Sequence, residues 1–145
     1  HTLPSNVKRI GSYAFYGCES LQLDKLPDNL IDLASYAFSG CTSLALTSID
    51  NITKISTLDQ SVFNGCTSLQ ISVIPAQIIT IEAWAFQNCT GLTQITFKGT
   101  PATIHANAFK SCSNITEINV PWAEGAVANA PWGATNATIN YGVTA

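Results

Sequence analysis

Five cysteines carry the most chemical reach in this chain: Cys18, Cys41, Cys66, Cys89 and Cys112, separated by 23, 25, 23 and 23 residues. Thiols in that number invite disulfide bonding or metal ligation. A thiolate metal site needs closely spaced cysteine pairs or histidines at ligand spacing, and the chain has no Cys-x-x-Cys pair and no such histidine. The near-constant interval instead gives all five sulfurs the same position in a repeating unit. Neighbouring strands in a stack lie about 4.8 Å apart, with side chains pointing the same way, which is a poor orientation for an S–S bond. The cysteines are expected to be small buried thiols, with no metal and no cofactor.

Other candidates for chemistry are sparse. His1 reads as a terminal or tag remnant, and His105 follows Ile104 with no serine, cysteine or carboxylate partner implied by spacing. Asp24, Asp28 and Asp32 fall on strand, turn and return segments, so no carboxylate pair is held at an acid/base separation. No glycine-rich phosphate cradle occurs either. No enzyme is expected.

Composition narrows the rest. The 145 residues suit one domain, and 46% hydrophobic against 10% charged is enough to fill a core. With a net charge of −3 and six basic residues, no basic stripe is present to neutralise phosphates, and nucleic acid is excluded as a partner. No run of about 18 apolar residues marks a membrane span, and no charged-then-apolar leader opens the chain. The sequence starts at His1 and contains no methionine. A trimmed or mature product is expected, so the missing leader says nothing of export.

The elements that must hold the cysteines repeat with them. A phenylalanine precedes each by three residues, giving Phe15/Cys18, Phe38/Cys41, Phe63/Cys66, Phe86/Cys89 and Phe109/Cys112 as a structural ladder. Leu21, Leu44, Leu69, Leu92 and Ile115 follow the cysteines by three, and Leu26, Ile49, Ile74, Phe97 and Val120 follow by eight. Pro27, Pro75 and Pro121 close three of these runs, the mark of a short strand. Five residues before each phenylalanine stands Ile10, Leu33, Leu58, Ile81 or Ile104, an apolar rung on the return side. The segment from that rung to the cysteine reads as a tight helical or 3₁₀ turn. One such coil cannot bury enough to offset its ordering, so the units must stack.

Two irregularities stand out. The second apolar strand residue lies five after the cysteine in the first three units (Leu23, Leu46, Ile71) but six after in the last two (Ile95, Ile118). A one-residue phase change turns side chains to the other face, so Leu23, Leu46 and Ile71 either face inward through a bulge or form an exposed apolar stripe. The third unit is also two residues longer and lacks the proline, predicting a bulging loop around Asn51 to Thr57.

The residues LPDNLIDLASYAFSGCTSL (Leu26 to Leu44) and IPAQIITIEAWAFQNCTGL (Ile74 to Leu92) resemble the leucine-rich repeat proteins of the BspA-like, or treponemal, type. The resemblance covers residues 3 to about 121. It implies a leucine-rich repeat solenoid, mainly β with short 3₁₀ or helical turns, built as a right-handed curved stack of about five 23-residue coils with one parallel strand per coil. Residues 1–121 are expected to form that solenoid, starting inside a repeat, and 122–145 an irregular C-terminal cap in which Trp122 and Trp132 cover the last layer. Leu3 and Pro4 sit at the end of a partial coil, so an open first layer is expected to favour self-association or an upstream segment. Members of the family are commonly surface proteins of mouth and gut bacteria or mucosal protists, and several are adhesins. The resemblance thus implies an extracellular or bacterial-surface location and a noncatalytic protein-recognition or adhesion role. The alternatives are a phage tail or fibre part on a virion and a carbohydrate-binding module. Four Asn-x-Ser/Thr sequons, at Asn51, Asn88, Asn114 and Asn136, carry little weight in a repeat this rich in Asn and Thr.

Two surfaces are the candidate binding sites. Outward positions of the strand face include Gln22, Lys25, Ser48, Gln70, Thr93, Gln94, Thr96, Glu117 and Asn119. Mostly small and uncharged, they suit hydrogen bonding to a host or bacterial surface protein, or to a glycan. Two residues before each phenylalanine the series runs Tyr13, Tyr36, Ser61, Trp84, Asn107. Its three aromatics either offer stacking faces to a ligand or pack over the turn edge and shield the ladder.

Overall fold

Two to four residues are all that a coil can spend on a strand before the next turn, so the elements are short. A computed structural model of the chain describes residues 2–143 as a parallel β-solenoid of about six turns, without a helix. The strands in chain order are β1 (Arg9–Ile10), β2 (Asp32–Leu33), β3 (Thr57–Leu58), β4 (Val73–Ile74), β5 (Thr80–Ile81), β6 (Gln94–Phe97), β7 (Thr103–Ile104), β8 (Glu117–Asn119) and β9 (Thr138–Asn140). They pair in parallel in three groups, β1-β2, β3-β5-β7 and β4-β6-β8-β9. The first two groups lie on the return side, where the sequence marks an apolar rung, and the third on the front.

The front ladder is shorter than the sequence predicts. No strand forms at 22–26 or 45–49, and the cause is where the odd step of three falls in the apolar series. In the fourth and fifth coils it falls between Leu92 and Ile95 and between Ile115 and Ile118, ahead of or at the start of the strand, leaving Ile95/Phe97 and Ile118/Val120 in strand alternation. In the first three it falls between Leu23 and Leu26, Leu46 and Ile49, and Ile71 and Ile74, inside it. Both partners of each step still point inward. Leu23, Leu46 and Ile71 are 6%, 0% and 2% exposed, so the bulged, inward arrangement holds and no apolar stripe is exposed at these positions.

The expected helical turn is replaced by a train of β-turns. Ala14, Tyr16 and Cys18 donate their N–H groups to the carbonyls of Gly11, Tyr13 and Phe15 at 3.1, 3.1 and 3.0 Å. Between them, Tyr13, Phe15 and Gly17 donate to Ser35, Ala37 and Ser39 of the next coil at 3.3, 2.8 and 2.8 Å. With every second amide committed to a neighbour, no helix can propagate. Left-handed φ values fall at two turn corners in each of the first four coils, first at Tyr13, Tyr36, Ser61 and Trp84 and then at Gly17, Gly40, Gly65 and Asn88, and in the fifth at the second corner, Ser111.

The longer third coil does not simply loop outward. Ile52 and Ile55 are buried, 0% and 4% exposed, and the extra length leaves β2 and β3 in separate sheets. After Val120 the chain stays in the stack: β9 pairs with β8 through Glu117↔Thr138, Ile118↔Ile139 and Asn119↔Asn140. The segment expected as an irregular cap therefore carries a strand rung. Trp122 and Trp132 meet edge to face at 6.0 Å, and Trp122 meets Phe97 at 5.3 Å. At the other end Phe15, Cys18 and Leu21 are only half buried, while their counterparts in the next three coils are fully covered.

Candidate recognition surfaces

Stacking in register gives each column its chemistry. The rings of Phe15, Phe38, Phe63, Phe86 and Phe109 lie 5.1 to 5.7 Å apart with planes within 13° of parallel. All five cysteines are free thiols. Cys41, Cys66, Cys89 and Cys112 donate from Sγ to the carbonyls of Phe15, Phe38, Phe63 and Phe86 at 3.1, 3.1, 3.1 and 2.9 Å. Each of those carbonyls also accepts the turn amide three residues on. Burial pushes the Cys41 thiol up to about 11 and Cys112 up to about 12, and it raises Cys66 and Cys89 as well.

The strand-face candidates divide into two groups. Gln94 and Thr96 on β6 and Glu117 and Asn119 on β8 come together with Asn140 of β9. Asn119 Nδ2 donates to Thr96 Oγ1 at 3.3 Å, and Asn140 Nδ2 donates to Asn119 Oδ1 at 2.8 Å and Glu117 Oε1 at 2.7 Å. This chain of side chains is half buried and held in place. Thr93 and Gln70 are exposed beside it. Gln22, Lys25 and Ser48 are not part of that ladder. Lys25 Nζ pairs with Asp28 at 3.0 Å, and Ser48 Oγ accepts the Asp50 amide at 3.0 Å. A hydrogen bond from Asn51, then the bond and charge of Lys25, hold the Asp28 carboxyl below its usual range. Gln22 lies with Leu23, Asp24, Ser43, Ala45 and Thr47 around a concavity of about 450 Å³. Asn140, Ser43 and Thr47 carry no sequence signal of a site, because their neighbours are fixed only once the coils are in register.

The aromatic series is divided as well. Tyr13 and Tyr36 stack at 4.8 Å, and Tyr16 meets Tyr13 edge to face at 5.3 Å. Tyr16 stands one residue after Phe15, outside the series read from the sequence, and is 57% exposed. Gln60 Nε2 donates to the Tyr36 hydroxyl at 3.4 Å. The small, buried Ser61 separates this group from Trp84, so the three predicted aromatics do not form one face. Asn107, the last member, takes no left-handed φ; its amide donates to His105 Nδ1 at 3.0 Å.

On the return side, Asp32, Lys54 and Asp59 line a cleft of about 140 Å³ between the second and third coils. Burial, then the charges of Glu82 and Asp32, raise the Asp59 carboxyl. Among the described residues no three His, Cys, Asp or Glu side chains are grouped to hold a metal ion. His1 lies outside the described residues.

The profile of the BspA type leucine rich repeat region, in 6 copies, matches residues 1–116. Among solved structures, the chain is similar to a leucine rich cell surface protein from Faecalibacterium prausnitzii A2-165, at 29% identity and a TM-score of 0.72, over 86% of this chain and 32% of that one. It is also similar to a leucine-rich repeat protein from Bacteroides ovatus ATCC 8483, at 22% identity and a TM-score of 0.55, over 78% of this chain and 35% of that one. At that lower identity the likeness speaks for the fold alone. The chain spans about a third of the length of each. No curated protein matches it.

Proposed function

This chain belongs to the BspA-type leucine-rich repeat family, and on that premise we propose that it is a noncatalytic protein-recognition module, used in adhesion, of a bacterial surface or secreted protein. One observation carries the reading: the front ladder presents Gln94, Thr96, Asn119 and Glu117 on adjacent strands, with Asn140 fixing the last two. Side chains already held by their neighbours lose little freedom on binding, and an interface of this kind gains specificity from hydrogen bonds rather than from charge. The similar protein of F. prausnitzii is a cell surface protein, which supports the location. No helix among the described residues is long and apolar enough to cross a membrane.

Surface plasmon resonance against a panel of purified extracellular proteins tests the proposal. Binding of at least one panel member is expected, together with a loss of about tenfold or more in Asn119→Arg at unchanged melting temperature. Undiminished binding in that variant, or no protein bound at all, would count against it.

A further inference from the structure

The front sheet ends on an open edge. β9 is its last strand, paired with β8 on one side, and among the described residues no strand lies on the other. Thr138 donates its amide to Thr116 at 2.9 Å and Asn140 accepts the Val120 amide at 3.0 Å, so these two residues direct their main-chain groups at β8. Alternation along the strand then turns the Ala137 carbonyl, both groups of Ile139 and the Tyr141 amide outward. None of these four groups has a main-chain partner among the described residues. The residues that follow do not cover them: the chain leaves β9 at the left-handed Gly142, whose amide donates to Trp122 at 3.0 Å, and Val143 donates to Val120 of the fifth coil at 2.9 Å.

Exposed strand edges invite pairing by another chain, and proteins ordinarily blunt them with charge, proline or a bulge. From Ala134 to Val143 there is no charged residue and no proline, and β9 matches β8 residue for residue without a bulge. The side chains give the edge a direction as well. Asn119 Nδ2 donates back to Thr96 Oγ1, and Asn140 Nδ2 donates back to Asn119 Oδ1 and Glu117 Oε1. Both hydrogens of the Asn140 amide are thereby used, while its Oδ1, on the other side of the group, accepts none. On the inner face, Ile95 and Ile118 are fully covered and Ile139, next in the same column, is only half buried.

We propose that the outer edge of β9 binds an extended peptide segment of a partner protein, which joins the front sheet as a further parallel strand. The register of β9 on β8, carried one step on, pairs two peptide amides with the Ala137 and Ile139 carbonyls and two peptide carbonyls with the Ile139 and Tyr141 amides. The columns set the side chains: a small polar residue beside Thr138, an aliphatic one covering Ile139, and an asparagine or glutamine whose amide donates to Asn140 Oδ1. Main-chain bonds hold the segment and the alternating side chains select it. This mode of recognition goes beyond the front face and does not rest on it, because it uses the edge of the last strand and shares only Asn140 with that face.

Titration of the isotope-labelled whole chain with a capped peptide, followed by NMR, tests the proposal. The probe is ATNATINYG, the sequence of residues 134–142, which carries the required pattern. Saturable shifts are expected at the amides of Ile139 and Tyr141. N-methylation of the peptide at its second threonine or second asparagine removes an N–H that faces β9 and should weaken binding by about tenfold or more. N-methylation at its isoleucine, whose N–H faces away, should leave binding unchanged. In the chain, Ile139→Pro takes away an edge donor without touching a bond to β8 and should also abolish the shift at Tyr141; a melting curve establishes that it is folded, and the peptide series needs no variant of the chain. Absence of shifts at Ile139 and Tyr141, or equal effects of the two kinds of methylation, would overturn the proposal and leave the protein panel to be judged by its own result. A dimer of the chain with these amides already protected would overturn it too, by placing a second copy at the edge.

Discussion

Each cysteine from Cys41 to Cys112 supplies a second donor to a phenylalanine carbonyl already used by a turn. That explains a cysteine in preference to an alanine of similar size: it packs as a small apolar group and still satisfies a buried lone pair. The sequence makes the burial legible, through the shared position in the period, but not the hydrogen bond, whose acceptor belongs to the preceding coil. Protonation follows from the site. The unfolded chain releases thiol protons near the ordinary value of 9.0, whereas the folded Cys41 keeps its proton until about 11. Below 9.0 this preference is fully present as stability; above it the unfolded state binds fewer protons, so stability falls as pH rises toward and through the folded value. Melting temperature should therefore drop between pH 8 and pH 11 more steeply in the wild type than in Cys66→Ala. Equal slopes would remove the thiols as the cause. Native labelling at neutral pH should reach Cys18, half buried in the first layer, well before the other four.

At the scale of the element, the turn train and the two ladders divide what the sequence discloses. Rungs such as Ile10, Leu33 and Ile81 are readable because an apolar residue five before a phenylalanine recurs without exception. The β-turns are not, because their cause lies in the next coil, whose carbonyls take every second amide. The left-handed corners show the same limit: Gly17, Gly40 and Gly65 advertise one of them, while Tyr36 and Trp84 occupy the other with side chains that give no such signal. Phenylalanine packing makes the stack a set of nearest-neighbour contacts, and that has a measurable consequence. Phe63, fully buried between Phe38 and Phe86, should cost about 3 to 5 kcal/mol when replaced by alanine. Phe15, half buried and stacked on Phe38 alone, should cost clearly less. Denaturant melts of the two variants decide it, and similar losses would mean that the ladder is not what couples the coils.

Over the whole molecule, cohesion is uneven, and a sequence insertion locates the weak plane. Between the first two coils, Ile31 and Asp32 both donate to the Lys8 carbonyl at 2.7 and 3.2 Å, and Ala34 donates to Ile10 at 3.0 Å. The third and fourth coils repeat the pattern, with Ile79 and Thr80 on Ser56 at 2.8 and 3.3 Å and Glu82 on Leu58 at 2.9 Å. The equivalent bonds from Ser56, Thr57 and Asp59 to Ile31 and Leu33 do not form, because nine steps separate Ile49 from Leu58 where seven separate Leu26 from Leu33 and Ile74 from Ile81. The 25-residue interval is plain in the sequence. Its effect on the return ladder is not, since Ile52 and Ile55 turn into the core instead of looping out. Opening should therefore begin at this plane, with the first two coils parting from the rest before global unfolding. Deleting Asn51 and Ile52 places Ile55 four residues after Ile49, the interval from Leu26 to Leu30 and from Ile74 to Ile78. The shortened coil loses the Asn51 bonds to Leu26 and Asp28 at 2.6 and 2.8 Å, so its melting temperature reflects two opposed changes. Amide exchange separates them. Slowed exchange at Ser56 and Asp59 would establish that the two extra residues alone keep β2 and β3 apart, and unchanged exchange there would place the cause elsewhere in the coil.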